Sequence, residues 1–312
     1  MRYIILLLFI FTLFSCGSNI NKSNKLYNVN FKIISKSADF TPRYGHRAAV
    51  FRGKIWIIAG DFKNDTWCSE DGVKWIKKNA NCNFKIYFGH SVVVFQNKLW
   101  LIAGHGAKKK KNEVWNSTDG INWTLVTKSA SFSPRIDHTS VVFNNKIWVI
   151  GGVDNYNKSR NDVWYSKDGK DWILAMESAN FSPRRGHTSI VYHDMIWVIG
   201  GEYKNDVWCS KTGVDWIEMQ DQAEFAGRSY HTSVSYNDKM WVIGGSAKSY
   251  QNDIWCSNDG VSWFEIKTPS IFSKRYGHAA LVFKNKVWII GGRGDAKPVD
   301  LKNDVFQFSE ET

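Results

Sequence analysis

The sequence is poor in three features, each of which would suggest a different class of protein. No segment repeats its apolar residues with the period of an amphipathic helix, so a helical architecture is not expected. The formal net charge of +12 is spread along the chain, and its only dense cationic run is Lys108 to Lys111. Nucleic-acid-binding proteins more often gather their charge on one helix or stripe, so no nucleic-acid partner is predicted. Only one long apolar run is present, and it lies at the N-terminus.

This N-terminal run has the form of an export signal. Arg2 precedes an apolar stretch over residues 3–14, which has the length of a signal-peptide core and is too short to span a bilayer comfortably. The following Ser15-Cys16 resembles a bacterial lipobox, which implies cleavage before Cys16 and its lipidation. Phe14 departs from that pattern, so secretion without lipidation is the open alternative. We predict a signal peptide over 1–15, a lipidated Cys16 with a flexible tether over 16–28, and a membrane-anchored protein of the bacterial cell envelope, periplasmic or surface-exposed.

The other four cysteines do not form a disulfide pattern. Cys68, Cys209 and Cys256 each follow a tryptophan at the same position of a repeated unit, so they point the same way and lie apart. Cys82 stands 14 residues beyond Cys68 and is out of register with it. We therefore expect four packed thiols.

What the chain has in abundance is internal repetition. A histidine that opens an apolar strand recurs six times, with spacings of 44, 48, 49, 44 and 47 residues. Each copy continues with a second apolar strand that ends in paired small residues and then with Asn-Asp-Val-Trp or a variant of it, and the first five copies end in Asp-Gly-x-x-Trp or a variant. A period in the forties indicates one supersecondary unit that stacks on copies of itself. The six histidines are His46, His90, His138, His187, His231 and His278.

A single repeat predicts a four-stranded antiparallel meander. In residues 138–178, strands are expected at 138–143, 146–150 and 162–166 and from residue 171, joined by Asn-Asn and Asp-Gly turns. Four-stranded repeats of this length form the blades of a β-propeller. The predicted fold is therefore all-β: a six-bladed β-propeller of four-stranded antiparallel blades over residues 29–312.

The two ends of the chain complement each other. At the five internal joins, a fourth-strand tryptophan stands 15 residues before the next histidine, and Phe31 stands 15 residues before His46. The last copy reaches Phe308 without a fourth strand. We predict that the N-terminal strand around Phe31 completes the last blade, so that the ring closes without an open edge.

The paired glycines, the aromatic residue of the third strand and the tryptophan of the fourth resemble Kelch repeats. The Pro-Arg-x-Gly-His entry resembles bacterial Kelch-type proteins of the galactose-oxidase-like propeller class. This resemblance covers the chain from residue 29 onward and implies that ligands bind on the loop face, but it implies no particular activity. Copper chemistry of the galactose-oxidase type would need a Tyr cross-linked to a Cys, and no cysteine here stands in such a constellation. No cofactor is therefore expected.

Residues that recur in every copy are interpreted as scaffold. The six histidines form a wide ring rather than a cluster of ligands, so they are expected to hydrogen-bond neighbouring blades, and no metal site is predicted. Five copies carry an arginine before the histidine and all six carry an acid in the third strand. These rings are expected to staple adjacent blades, with a clamp for a substrate anion as the alternative. The arginines are Arg43, Arg135, Arg184, Arg228 and Arg275, with Tyr87 in the second copy, and the acids are Asp65, Glu113, Asp162, Asp206, Asp253 and Asp304.

Function is sought where the copies differ, which is in the loops that enter the first strand and in those that follow the paired glycines. Exposed aromatic residues and arginines in these loops would suit a protein or glycan partner, although neutral drift of loop sequence is an equal alternative. The predicted ligand-binding face consists of Tyr44, Arg184, Arg185, Tyr230, Tyr276 and Arg293.

The predicted function is therefore that of a monomeric, non-catalytic interaction module, which binds a protein or a glycan and is held to a membrane by its lipid anchor. The alternative is a sugar-active enzyme on the same fold, such as a sialic acid mutarotase or epimerase. Such an enzyme would need an arginine with a glutamate or histidine near the channel mouth, and Arg184, Arg185, Glu202 and Arg293 are the residues that could lie there. No motif selects them.

Overall fold

In a computed structural model, residues 29–267 and 272–310 are described, and they form six antiparallel sheets arranged as the blades of a propeller. The predicted all-β, six-bladed architecture is confirmed. The first strands of neighbouring blades contact one another in a closed circle and line a central channel. The predicted signal peptide, Cys16 and the tether lie outside the described residues.

Thirteen strands form the first three blades, and the N-terminal strand belongs to blade 6. Blade 1 comprises β2 (Arg47–Phe51), β3 (Lys54–Gly60), β4 (Lys63–Ser69) and β5 (Ile76–Asn79). Blade 2 comprises β6 (Ser91–Phe95), β7 (Lys98–His105), β8 (Lys110–Ser117) and β9 (Thr124–Thr127). Blade 3 comprises the short β10 (Arg135–Ile136), β11 (Thr139–Phe143), β12 (Lys146–Asp154), β13 (Ser159–Ser166) and β14 (Ile173–Met176).

The last three blades follow the same order. Blade 4 comprises β15 (Thr188–Tyr192), β16 (Met195–Gly201), β17 (Lys204–Ser210) and β18 (Ile217–Gln220). Blade 5 comprises β19 (Thr232–Tyr236), β20 (Lys239–Ser246), β21 (Tyr250–Ser257) and β22 (Phe264–Glu265). Blade 6 comprises β23 (Ala279–Phe283), β24 (Lys286–Arg293) and β25 (Leu301–Glu310), completed by the N-terminal β1 (Val29–Ser35).

The N-terminal strand closes the ring as predicted. β1 pairs antiparallel with β25, with Phe31 opposite Phe308 and Asn30 opposite Ser309. The rings of Phe31 and Phe308 lie 5.0 Å apart, and Phe308 is fully buried. The fourth strand of the last blade therefore comes from the opposite end of the chain.

The hydrophobic core lies between blades rather than within one sheet. One cluster joins Trp56 and Cys68 of blade 1 to Leu101 and Trp123 of blade 2, and five further clusters join the other neighbouring pairs. The Asp-Gly turn before the fourth strand adds to this packing, because a Cβ on Gly169 of blade 3 would lie 2.0 Å from the Trp100 ring of blade 2. The turn therefore has a structural role, since only a glycine lets it sit on the neighbouring indole.

The paired glycines have two distinct roles. The first occupies the left-handed region, with φ of 57° at Gly151, and alanine replaces it at Ala59 and Ala103 with φ of 53° and 52°. The second is glycine in every blade, because a Cβ at Gly152 would lie 2.7 Å from Cβ of His138. The pair makes a bulge that brings the end of the second strand against the repeated histidine of the same blade. This contact lies at the end of the channel that carries the variable loops.

The four cysteines of the described residues are packed inside the propeller. The cysteines Cys68, Cys82, Cys209 and Cys256 are all buried, and burial raises the pKa of the Cys82 thiol to about 12. Within residues 29–267 and 272–310, no helix long and apolar enough to cross a membrane occurs.

Candidate functional site

The ring of histidines is built into the contacts between blades. In four blades the imidazole Nε2 lies 2.8–3.0 Å from the hydroxyl that begins the first strand of the preceding blade: Ser91 with His138, Thr139 with His187, Thr188 with His231 and Thr232 with His278. Burial, followed by the charge of the neighbouring arginine, lowers the pKa of His187 and His278 to about 3. In the part of the chain that the structure describes, no group of three or more His, Cys, Asp or Glu side chains could hold a metal ion.

Blade 1 interrupts this pattern. For His46, the position that would supply the hydroxyl is occupied by Ala279, the first residue of strand β23 in blade 6. For His90, it is occupied by Arg47, the first residue of strand β2 in blade 1. The Nε2 atoms of both histidines are buried without a hydrogen-bond partner among the described residues. The inner wall of the propeller is therefore chemically different on the blade 1 side.

The arginine ring staples adjacent blades. The backbone of Arg184 pairs with blade 3, where its N–H donates to the Arg160 carbonyl and its own carbonyl accepts from Gly152 N–H, both at 2.9 Å. Its guanidinium reaches blade 4 and donates to both carboxylate oxygens of Asp206, at 2.6 and 2.8 Å. The same side-chain pairs join Arg43 to Asp65, Arg135 to Asp162, Arg228 to Asp253 and Arg275 to Asp304.

Of the residues predicted for the ligand-binding face, Arg184 lies inside the protein. Its side chain is 0% exposed, and its other donors reach the Gly200 carbonyl and the carbonyl and hydroxyl of Ser182. No donor is left for a ligand. Blade 2, which has Tyr87 in place of the arginine, compensates through Lys111, which lies 2.7 Å from Glu113.

The entrance to the channel is framed by the residues that directly precede the six histidines, which we call the turn ring. All six have φ between 56° and 67°, in the left-handed region that favours glycine. Their N–H groups donate to the carbonyl of the equivalent residue in the preceding blade, and five such bonds of 2.7–3.0 Å are present among the described residues. The turn ring consists of Gly45, Gly89, Asp137, Gly186, Tyr230 and Gly277.

Two members of the turn ring are not glycine, and their side chains meet. The Tyr230 hydroxyl donates to Oδ2 of Asp137 at 3.2 Å. Asp137 belongs to blade 3 and Tyr230 to blade 5, so the phenol ring passes over Gly186 of blade 4 to reach it. A Cβ on Gly186 would lie 3.3 Å from two atoms of that ring.

Below the turn ring lies a cavity of about 460 Å³ inside the channel. Its wall is divided. Blades 3, 4 and 5 line it with two hydroxyl residues each, whereas blades 6, 1 and 2 contribute mainly methyl and isopropyl groups, together with Arg47 and the single hydroxyl of Ser91. The hydroxyl side consists of Thr139, Ser140, Thr188, Ser189, Thr232 and Ser233, and the apolar side of Ala48, Val92, Ala279 and Ala280.

The cavity contains one cation and one acid. Arg47 and Asp137 both line it, and among the described residues no carboxylate lies within 4.0 Å of the Arg47 guanidinium. Burial lowers the pKa of Arg47, and the charge of Asp137 opposes that shift. Burial raises the pKa of Asp137, while the charges of Arg47, Arg185 and Lys110 and the Tyr230 hydrogen bond oppose the rise. The two charges thus face the same space without forming an ion pair.

Aromatic side chains surround this entrance. We call the four that line the cavity the aromatic collar: Tyr44, Phe88, Tyr230 and Tyr276. Tyr276 lies 5.9 Å from Tyr44 and 6.0 Å from Tyr230 between ring centroids, and burial raises its pKa to about 12. On the other side of the mouth, Phe88 stacks on His105 and meets the exposed Phe62 edge-on at 5.4 Å.

The other predicted face residues lie on the rim. The Arg293 guanidinium stands 5.6 Å from the centre of the Tyr44 ring. The Arg185 side chain is 45% exposed, and its Nε lies 3.4 Å from Glu202. The structure thus brings Tyr44, Tyr276 and Arg293 into one group, while Arg185 pairs with Glu202 beside blade 4.

Sequence reasoning missed Arg47 and Asp137. Both stand beside a repeated histidine, where a residue is easily taken for part of the scaffold. A signal existed: the residue before the histidine is Gly in four copies, and the residue after it is Ser, Thr or Ala in five. Asp137 and Arg47 each break one of these patterns.

A family model described as the KLHDC2/KLHL20/DRC7 Kelch-repeats domain matches residues 89–292. The solved structure of YjhT is similar to this chain with a TM-score of 0.74 and 16% sequence identity, over 89% of this chain and 100% of YjhT. At that identity the likeness concerns the fold alone. In all, 660 solved chains match, so the architecture is shared too widely to indicate an activity. A search of curated proteins gave no match.

Proposed function

The chain belongs to the Kelch-repeat family with the KLHDC2/KLHL20/DRC7 domain, and we propose that it is a binding module that holds a glycan at the mouth of its channel. The observation that carries this proposal is the divided cavity beneath the aromatic collar. A space of about 460 Å³ suits one sugar residue with its substituents better than the surface of a folded protein.

The polarity of the cavity favours a glycan whose terminal sugar is anionic. Arg47 offers a guanidinium that no carboxylate within 4.0 Å neutralises among the described residues, and Arg185 and Lys110 add positive potential near Asp137. Arginine binds carboxylate oxygens in a bidentate manner, and this geometry is strongest where water is excluded. The hydroxyl groups of blades 3 to 5 would face the sugar hydroxyls, while the collar would cover apolar faces of the ring.

Glycan-array screening tests the proposal. Wild-type protein is expected to bind a set of acidic glycans, and Arg47→Ala should lose them, as should a variant with Tyr44, Arg185 and Tyr276 all changed to Ala. Arg52→Ala is the matched control, because Arg52 follows the same strand β2 at the other end of the channel and is exposed. Binding that survives in both mouth variants would place the partner elsewhere.

A second candidate is a sugar-active enzyme, and the pair of Asp137 and Tyr230 favours it. Both groups line the cavity, burial raises the pKa of each, and a hydrogen bond of 3.2 Å joins them. Buried groups with shifted pKa values next to each other are typical of acid–base sites. Interconversion of sugar anomers needs one proton donor and one acceptor. NMR exchange measurements on acidic sugars would detect it, and a rate equal to that of buffer alone would exclude it.

We also propose that the protein is exported and lipid-anchored through Cys16, which would place the loop face outside the cytoplasm. This follows from the N-terminal sequence alone, since residues 1–28 are outside the described part. Metabolic labelling with a fatty acid should mark the wild-type chain and leave Cys16→Ser unlabelled. Equal absence of label in both would favour secretion without an anchor.

A further inference from the structure

We propose that Tyr230 is a gate residue: its ring, held across the blade 4 turn by Asp137, controls entry to the channel cavity from the loop face. The proposal goes beyond the proposed function, because it concerns access to the cavity and holds for any ligand. It rests on three features of the turn ring: the backbone at Tyr230, the course of its side chain and the single bond that holds it.

The backbone of Tyr230 is in an unusual conformation for its residue type. Its φ of 56° lies in the left-handed region, where four of its five counterparts are glycine and the fifth is aspartate. Asp and Asn visit this region several times more often than other non-glycine residues, whereas a bulky tyrosine rarely does. Conformations of this kind cost about 1–3 kcal/mol and persist where the surrounding structure imposes them. Glycine would meet the backbone requirement without strain, so the Tyr230 side chain itself needs another explanation.

The side chain follows a course that only one neighbour permits. From blade 5 it crosses the turn of blade 4 and ends at Asp137 of blade 3. Gly186 lies beneath it, and a Cβ there would approach the phenol ring to 3.3 Å, so the crossing needs a glycine at this position. Tyr230 therefore lies along the rim above Thr188 and Ser189, which form the hydroxyl wall of blade 4.

The far end of the ring is held weakly. One hydrogen bond of 3.2 Å joins Tyr230 to Asp137, and it is longer than the range of about 2.5–3.0 Å that is usual for an O–H···O bond. The titratable groups that act on Asp137 are Arg47, Arg185, Lys110 and Tyr230 itself. Those that act on Tyr230 are Asp137, Arg185 and Tyr203. A ligand that offers its own donor to Asp137 can replace the phenol. The ring is then free to swing outward about its side-chain torsions, while the turn-ring hydrogen bonds continue to hold the Tyr230 backbone.

Thiol accessibility tests this gate without a ligand. Ser189→Cys places a thiol in the cavity under the proposed gate, in a Cys16→Ser background in which the four native thiols of the propeller are buried. The rate of labelling by a charged methanethiosulfonate reagent is measured with Tyr230 intact, with Tyr230→Phe and with Tyr230→Gly. The same protein without Ser189→Cys supplies the background rate.

The proposal predicts a graded result. Tyr230→Phe keeps the ring and loses one hydrogen bond, so labelling should accelerate by about fivefold. Tyr230→Gly removes the gate and relaxes the backbone, so acceleration should reach about tenfold or more. Ser235→Cys, on strand β19 toward the other end of the channel and exposed, should label at one rate in all three backgrounds. Equal labelling of Ser189→Cys in the wild-type and Tyr230→Gly backgrounds would overturn the gate. Equal acceleration at both cysteines would also overturn it, because it would indicate general loosening.

Discussion

The buried pair of Arg184 and Asp206 makes the sharpest prediction about what holds the ring together. Arg184→Leu removes five hydrogen bonds, two of them to Asp206, which is itself only 9% exposed. The carboxylate is then left buried without its counter-charge, and removal of one partner from such a pair costs about 3–5 kcal/mol. We therefore expect the free energy of unfolding to fall by about this amount, as measured by urea denaturation followed by tryptophan fluorescence.

The companion variant and the pH dependence show whether this reasoning holds. Arg184→Leu with Asp206→Asn leaves no buried charge and keeps an acceptor for Trp208 Nε1, so it should recover much of the loss. Burial alone would raise the pKa of Asp206, but the hydrogen bonds and charge of Arg184 hold it below its ordinary value. A depressed carboxylate pKa stabilises the fold above about pH 4 and loses its effect as the pH falls further. The deficit of Arg184→Leu should therefore shrink in acid.

The same variant separates scaffold from binding site. Because the Arg184 donors are all taken within the protein, Arg184→Leu should bind glycans normally at temperatures where it is folded. A variant with unchanged stability and lost binding would refute the assignment of Arg184 to the scaffold. It would restore the alternative in which the arginine ring clamps an anion.

Three further predictions concern the ring. Deletion of Val29–Ser35 removes the fourth strand of blade 6 and should abolish cooperative unfolding, so an unchanged melting temperature would contradict the closure. Ala279→Ser supplies the hydroxyl that His46 Nε2 lacks and should raise the free energy of unfolding by about 1 kcal/mol in urea titrations. A lower free energy of unfolding would mean that the buried serine hydroxyl makes no hydrogen bond to His46. His187 and His278 have pKa values of about 3, below the unfolded value, so stability should fall as the pH drops below about 6.5; a melting temperature constant from pH 7.5 to pH 5 would contradict their neutral burial.

The fold could be predicted from the sequence because its signals are local and repeated. Strand 139–143 and its turn at Asn144-Asn145 follow from alternation and turn chemistry within a few residues, and six copies remove the ambiguity of any one. The closure by Phe31 followed from counting positions between repeats. The short strand Arg135–Ile136 was not foreseen, because it depends on how far the loop after the paired glycines extends in blade 3.

The site was harder to predict, because its residues come together only when the ring closes. Arg47 and Asp137 are 90 positions apart in sequence, and their common cavity depends on the eight strands that lie between them in the chain. Arg184 and Arg185 are adjacent in sequence, yet one is fully buried in a staple and the other is exposed at the rim. An antiparallel backbone bridge between Arg160 and Arg184 determines which of the two adjacent arginines points inward. No local sequence pattern indicates this pairing.

The most direct test of the proposed binding site is a calorimetric double-mutant cycle at Arg47. Wild-type protein and Arg47→Ala are titrated with the acidic terminal sugar of a glycan chosen from the array, and with the same sugar converted to its uncharged carboxamide. A hydrogen-bonded charge pair is worth about 1.5–3 kcal/mol, so wild-type affinity should fall by about tenfold or more with the carboxamide, while Arg47→Ala should bind both sugars equally. If both proteins discriminate between the two sugars to the same extent, Arg47 does not hold the anion and the proposed site is wrong.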